Sequence, residues 1–299
     1  MVKRLISADT SEILKMSRQE LKKSIQASEG RVVLSENVAG RESFIGDITN
    51  AEIAKAFGAD LILLNGVDVF EPTIFGLDVD SENVVNRLHE LVGCPIGVNL
   101  EPVDLNMAML EERLAIPLGR QANQETFERI NQLNFDFVCL TGNPGTGVSN
   151  RSIIQAIKLA KQYFDGLIIA GKMHGAGSDE AVVDLASVTA FIDAGADVIL
   201  VPAVGTVPGF DMEDLKAVVR LAHQENVLVM STIGTSQESS AIATIQNIAL
   251  QNKIAGVDIQ HIGDAGYGGV APVENIYEMS KVLRGMRHTV SRMARSIKR

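Results

Sequence analysis

The chain has no tryptophan, two cysteines, eight prolines and only 4% aromatic residues in 299 positions. Two cysteines cannot staple a fold of this size, so a disulfide-rich scaffold is excluded. Cys94 and Cys139 each lie inside an apolar run, where a free thiol behaves as a small core residue and fits a reducing compartment. No run approaches the ~18 apolar residues of a membrane-spanning helix. The first 25 residues carry Lys3, Arg4 and Asp9 and show neither a signal peptide nor an anchor. Positive charge is scarce too: 27 Lys and Arg against 37 Asp and Glu give a formal charge of -10, which argues against a nucleic-acid surface. The expectation is a soluble, cytoplasmic protein with no nucleic-acid or membrane partner.

The few cations are unevenly placed. Seven of them, and no acid, fall between Lys281 and Arg299, which leaves -17 on the rest of the chain. A solvated helix end is the expected use, its cations favoured by the helix dipole. The alternative is a contact with an acidic neighbouring subunit or nucleic acid.

What the sequence does have is a recurrence. Apolar runs rich in Val, Ile and Leu occur at 32–34, 61–64, 96–100, 137–140, 167–170, 198–201, 227–230 and 257–259. Each is continuous, as in a parallel strand covered on both faces. Between them lie segments at helical spacing, opened by capping residues such as Thr49, Ser81, Asn123, Asn150 and Asp211 and closed by Gly or Asn. One phrase repeats at the joints, Phe57-Gly58-Ala59-Asp60 and Ala194-Gly195-Ala196-Asp197. Eight units about thirty residues apart predict an α/β fold, the (β/α)8 TIM barrel, of about 250 residues. The surplus falls in an N-terminal helical extension over 1–30, an insertion near 104–121 after strand 3 with the helical pattern Met107, Leu110, Leu114, and a basic C-terminal helix. A doubly wound open sheet is the alternative, but no linker divides the chain.

A barrel gives function an address, because its active site lies at the C-terminal ends of the strands. The polar residues there are Glu36, Asn65, Asn99, Glu101, Thr141, Asn143, Lys172, His174, Ser231, His261 and Asp264. Lys172, directly after a strand, is expected to project into a desolvated mouth as a Schiff-base amine or a general base, with a fixed cation that holds a carboxylate or phosphate as the plain reading and a structural ion pair as the remaining alternative. Glu101 and Glu36 are candidate acids or bases, or partners of Lys172 or Arg41. His174, His261, Glu101 and Asp264 form a candidate divalent-metal set, without the local spacing of a strong metal motif. Glycine loops carry Gly145, then Gly234, Thr235 and Ser236, then Gly266, Gly268 and Gly269. Their N–H groups are suited to a phosphate, or else they are tight turns. Gly142–Gly147 lacks the ending of a P-loop and the spacing of a dinucleotide fingerprint, so no nucleotide cofactor is expected.

Four phrases carry a family resemblance: Ile45-Gly-Asp-Ile-Thr-Asn-Ala-Glu-Ile, Thr141-Gly-Asn-Pro-Gly-Thr-Gly, Gly171-Lys-Met-His-Gly-Ala-Gly and His261-Ile-Gly-Asp-Ala-Gly-Tyr-Gly-Gly. Over nearly its whole length the chain resembles an uncharacterised bacterial family of single-domain barrel proteins. Some members carry the label haloacid-dehalogenase-like hydrolase. Asp78-Val-Asp80-Ser81 resembles that signature, but it follows a loop where the signature follows a buried strand. The resemblance implies the barrel and brings no catalytic assignments.

The leading expectation is therefore an enzyme acting on a small anionic, phosphorylated carbonyl compound by lyase, aldolase or isomerase chemistry assisted by Lys172. The alternatives are a metal-assisted or phosphatase-like hydrolase and a non-catalytic anion-binding barrel. The basic tail and the insertion are extra surfaces that would suit a homo-oligomer.

Overall fold

The computed structural model describes residues 2–109, 112–175 and 180–299, and the backbone alone of Tyr267. Leu110 of the insertion pattern, and Ala176 and Gly177 of the third family phrase, lie outside the described residues.

Eight parallel strands form a closed barrel in sequence order: β1 (Val32–Val38), β2 (Leu61–Asn65), β3 (Ile96–Leu100), β4 (Phe137–Leu140), β5 (Leu167–Gly171), β6 (Val198–Pro202), β7 (Leu228–Ile233) and β8 (Ile259–Ile262). β8 pairs with β1, which closes the sheet and removes the open-sheet alternative. Two short helices, α1 (Thr10–Ile13) and α2 (Arg18–Gln26), precede it. Around it run α3 (Asn50–Ala56), α4 (Val84–Val92), α5 (Gln124–Gln132), α6 (Asn150–Tyr163), α7 (Leu185–Ala194), α8 (Met212–Gln224), α9 (Ile242–Ala255) and α10 (Val273–Ala294). In the 104–121 segment the described residues hold a 3-10 turn, Leu118–Arg120, and no α-helix.

Side chains alternate between two apolar layers, as the strand period of two requires. Val33, Ile62, Val98, Val138, Ile168 and Val229 pack outward against the helices. Leu34, Leu63, Phe137, Ile169, Met230 and Ile259 fill the barrel, joined from below by Leu5, Ile13, Leu21 and Ile25 of the N-terminal segment. Gly97 makes room for the ring of Phe137, which would lie 2.2 Å from a Cβ at that position.

The repeated joint has a structural meaning. Asp60, Asp136, Asp197 and Asp258 stand just before β2, β4, β6 and β8, and each makes a two-bond ring with one residue of the preceding strand. Their N–H groups donate to the carbonyls of Val33, Ile96, Ile168 and Val229 at 2.7–3.0 Å. Their carboxylates accept the N–H groups of the same four residues at 2.7–3.0 Å. A basic side chain completes each: Arg284 and Arg292 on Asp60, His89 on Asp136, Arg18 on Asp197, and His223 on Asp258.

That arrangement corrects the reading of the basic tail as a solvated helix end. α10 breaks at Gly285, where φ is 68°, a conformation only glycine adopts without strain. Beyond the break Arg292 is buried against Asp60 at 2.7 Å, and Arg295 pairs with Asp9 of the N-terminal segment. Burial opposes ionisation of Asp60, yet Arg284 and Arg292 outweigh it and hold the carboxyl below its ordinary range. Both cysteines are free and buried. Among the described residues no helix is long and apolar enough to cross a membrane.

Candidate active site

The inward positions at the C-terminal ends of the strands turn polar. Glu36 follows Val32 and Leu34 on β1, Asn65 follows Leu61 and Leu63 on β2, and Asn99 and Glu101 follow Gly97 along β3. Together with Thr141, Asn143, His174 and Asp264, the residues Glu36, Asn65 and Asn99 surround a cavity of about 220 Å3, smaller than a drug-sized pocket of ~300–1,000 Å3. Glu101 is not itself on the cavity wall but stands behind Asn143.

The site is a chain of fixed hydrogen bonds. Arg120 Nη2 donates to Glu101 Oε1 at 2.8 Å. Glu101 in turn accepts the Asn143 N–H at 2.8 Å and its Nδ2 at 2.9 Å. Asn143 and Asn65 exchange amide hydrogen bonds at 3.0 and 3.1 Å. Asn65 Nδ2 also reaches Asp264 Oδ2 at 3.0 Å, and Asn99 Nδ2 donates to Asn65 Oδ1 at 3.3 Å. On the other side His261 Nε2 and Glu36 Oε2 are 3.0 Å apart, both buried. Glu36 therefore pairs with His261 and Glu101 with Arg120, where Arg41 and Lys172 were the expected partners.

Burial, then the neighbouring Glu36 carboxylate, push the Asp264 carboxyl up to about 7, against the hydrogen bond from Asn65. Burial holds the His174 imidazole below its usual range despite Glu36 and Glu101. The site thus contains a carboxyl that can hold or release a proton near neutrality and an imidazole biased toward its neutral form.

Lys172 is elsewhere. Ile169 and Met173 belong to the layer that fills the barrel, and Lys172, one place before Met173, falls on the other face of the alternation. Its Nζ lies 2.6 Å from Glu180 Oε2 with the side chain 2% exposed, and Glu180 also accepts the Asn150 N–H at the start of α6. The expected projection into the mouth is corrected by this parity, and it is Met173 that lines the cavity. Ser231 faces outward for the same reason, donating to Asn252 on α9 at 3.0 Å.

The glycine loops divide. Gly234, Thr235 and Ser236 line the cavity. Thr235 and Ser236 both take left-handed backbones, φ 58° and 69°, costly for a β-branched residue and a mark of functional loops. The loop bonds run from Gln237 N–H to Gly234 and from Ser239 N–H to Ser236. Among the described residues the N–H groups of Gly234, Thr235 and Ser236 have no acceptor. Gly145, Gly266, Gly268 and Gly269 are absent from the cavity wall. Gly145 accepts the Leu114 N–H, Gly268 accepts Asn50 Nδ2 at 2.7 Å, and Gly269 packs on Val38 and Arg41. These four are turn and packing glycines.

Among the described residues no group of three or more His, Cys, Asp and Glu is placed to hold a metal ion. Both Glu101 oxygens are taken by Asn143 and Arg120, and His261 faces Glu36 from outside the cavity wall. The four expected metal ligands are not brought together.

Two residues of the site escape sequence reasoning. Arg120, from the insertion, anchors Glu101; no local motif marks it. Glu238 closes the phrase Gly234-Thr-Ser-Gln-Glu and lines the cavity at 1% exposure. Its Oε1 accepts the Ala265 N–H at 2.9 Å, and burial pushes its carboxyl up. Gly263 leaves space for it, since a Cβ there would meet the carboxyl at 3.3 Å.

Fold and site together define a (β/α)8 barrel with a small polar cavity at the C-terminal ends of its strands. A family model described as "Domain of unknown function (DUF7916)" matches residues 6–299, and the chain belongs to that family. No curated protein matches it. Among solved structures the barrel is similar to an archaeal fructose 1,6-bisphosphate aldolase, 13% identical over 87% of this chain and 96% of that one, with a TM-score of 0.55. It is also similar to an oxaloacetate acetylhydrolase in complex with the product oxalate, at 14%, 82%, 79% and 0.51 respectively. A third is 2,3-dimethylmalate lyase, a PEP mutase/isocitrate lyase superfamily member, at 13%, 82%, 80% and 0.50. At these identities the likeness shows the fold.

Proposed function

We propose that the protein is an enzyme that moves a proton on a small carbonyl compound, in lyase or isomerase chemistry. The observation that carries this reading is the convergence of Glu36, Asp264 and His174 with an amide chain on one 220 Å3 cavity. Asp264, poised near neutrality, takes or returns the proton next to the carbonyl. The Glu36 side chain is held in place by His261, a positioning residue, at 3.0 Å. The N–H groups of Gly234, Thr235 and Ser236, which have no acceptor among the described residues, receive the carbonyl oxygen or a single negative group of the substrate.

Two parts of the sequence expectation find no support here. Lys172, turned outward onto Glu180, offers no amine to a substrate in the cavity. Among the described residues the wall carries three carboxyl groups and no lysine or arginine, which disfavours a dianionic phosphate. The similar barrels include a lyase and an aldolase, but the reaction class proposed here rests on the proton-transfer geometry.

The test does not depend on the identity of the natural substrate. Small hydroxy-ketones and 2-oxo acids are incubated with the protein in D2O, and loss of the C–H signal beside the carbonyl is followed by NMR. The expected result is enzyme-dependent exchange that falls about 10²- to 10⁴-fold in Asp264→Asn. Exchange no faster than in buffer across the panel, or equal in the variant, would discard the proposal.

A further inference from the structure

The hydrogen-bond chain fixes which atoms the cavity offers to a ligand. Glu101 accepts from Arg120 at Oε1 and from the Asn143 N–H at Oε2, so Asn143 turns Nδ2, and not its oxygen, toward it. Asn143 Oδ1 then accepts Asn65 Nδ2, Asn65 Oδ1 accepts Asn99 Nδ2, and Asn99 is left with its carbonyl oxygen unpaired beside the second hydrogen of its Nδ2. Reversing any amide in the chain would set oxygen against oxygen.

Asn99 Oδ1 is one of three buried cavity-wall atoms without a hydrogen-bond partner among the described residues. The others are Thr141 Oγ1 and Glu238 Oε2. All three residues are at least nine-tenths buried: 3%, 1% and 1% exposed. All three atoms are oxygens, and they lie on opposite sides of the barrel, Asn99 and Thr141 at β3 and β4, Glu238 beyond β7. A buried polar atom left unpaired is costly. Asn99 Oδ1 and Glu238 Oε2 call for donors, while the Thr141 hydroxyl can donate or accept, so a group that does both, such as a hydroxyl, can satisfy all three.

We infer that the cavity binds a small polyhydroxylated compound, of about four or five carbons, whose hydroxyl groups donate to Asn99 Oδ1 and to Glu238 Oε2 and pair with Thr141 Oγ1. This deepens the proposed function by naming the substrate class, and it rests on the same reading of the cavity. A dicarboxylate or a phosphate ester has no donors for Asn99 Oδ1 and Glu238 Oε2, and it meets the carboxyl groups of Glu36, Glu238 and Asp264. In the reactive compound the carbonyl oxygen lies at the Gly234–Ser236 N–H groups, and the hydroxyls reach across to β3 and β4.

Binding of non-reacting polyols separates this inference from the proton-transfer reading, because a polyol has no carbonyl and needs no chemistry at Asp264. Erythritol and ribitol are titrated into the full-length protein by calorimetry and saturation-transfer NMR, beside succinate and glycerol 3-phosphate. The polyols are expected to bind and the two anions to bind more weakly. Thr141→Val, which keeps shape and removes the hydroxyl, is expected to weaken the polyols roughly tenfold, the factor for about one hydrogen bond. Thr141→Ser keeps the hydroxyl and is expected to retain the affinity, which guards against a loss from misfolding. Absence of polyol binding, tighter binding of either anion, or equal affinity in Thr141→Val would each overturn the inference. Loss of proton exchange in Asp264→Asn bears only on the function proposed above.

Discussion

The two ends of the barrel hold buried or half-buried carboxyl groups and treat them in opposite ways. At the N-terminal end Asp60, Asp197 and Asp258 each accept a backbone N–H and face a cation. At the C-terminal end Asp264 has an amide and a neighbouring carboxylate, and Glu238 has one N–H and an oxygen without a partner. The first arrangement converts burial into a strong paired interaction, because every lone pair that matters is met. The second leaves the cost of burial standing, and the proton is the means by which that cost is lowered. Residue type is the same at both ends; the partners decide whether a carboxylate holds the fold or is available to chemistry.

Removing a partner from the paired end is expected to have the largest effect. Asp60→Ala leaves Arg284 and Arg292 buried without their counter-ion, and the loss is expected to be about 3–5 kcal/mol in urea denaturation. If the loss were under about 1 kcal/mol, the N-terminal carboxylates would not be the structural members of the pair. At the mouth the sign reverses. The Asp264 carboxyl keeps its proton in the folded protein up to about pH 7, while in the unfolded chain it ionises above about pH 4. The folded state binds more protons over that range, so this group lowers stability progressively as pH rises from about 4 to 7. Asp264→Asn removes that dependence and is expected to stabilise the protein by roughly 2–4 kcal/mol at pH 8 and little at pH 4. Urea midpoints of both proteins across this range check it, and a pH-independent difference would count against an ionising carboxyl in a half-buried mouth.

The barrel was legible because its signals are local and repeated. Continuous apolar runs, capped helices and the Gly-Ala-Asp phrase each occur within a few residues, and eight copies average out errors at any one. The grouping of Glu36, Asn65, Asn99, Thr141, Asn143, His174 and Asp264 around one candidate cavity was legible too. Facing was the weak point. Counting alternation from Ile169 places Met173 inward and Lys172 outward, and the same count from Met230 turns Ser231 away; a shift of one residue reverses the role of a side chain. Long-range partners were illegible in a stronger sense. Nothing near Arg120 in the sequence announces Glu101, nothing near Asp60 announces Arg292, and the pairing exists only once the chain has folded.

Lys172 tests the comparison from a third place, neither mouth nor base. Its partner Glu180 is 38% exposed, so a carboxylate left behind in Lys172→Met is still hydrated, and the stability loss is expected to be about 1–2 kcal/mol. Proton exchange in the same variant should change only a few-fold. An adduct trapped by borohydride in the wild type and absent in this variant would return the lysine to the chemistry and erase the division between mouth and wall.

The smallest effect is expected at His223, where the cation of the paired end is itself titratable. The hydrogen bond to Asp258 raises its pKa against the opposing effect of burial. A base whose folded pKa is raised stabilises the protein below its unfolded value of about 6.5 and loses that contribution as pH rises through the folded value. The imidazole is 41% exposed, so solvent screens the pair, and His223→Gln should cost roughly 0.5 kcal/mol at pH 5.5 and nothing measurable at pH 9. Asp258 keeps the Val229 N–H in either case, which is why the loss is small while Asp60→Ala is severe. An NMR titration of the imidazole, set beside urea midpoints at the two pH values, separates the cation's share of the paired arrangement from the backbone's. A loss as large at pH 9 as at pH 5.5 would mean that packing, and not charge, is what His223 supplies.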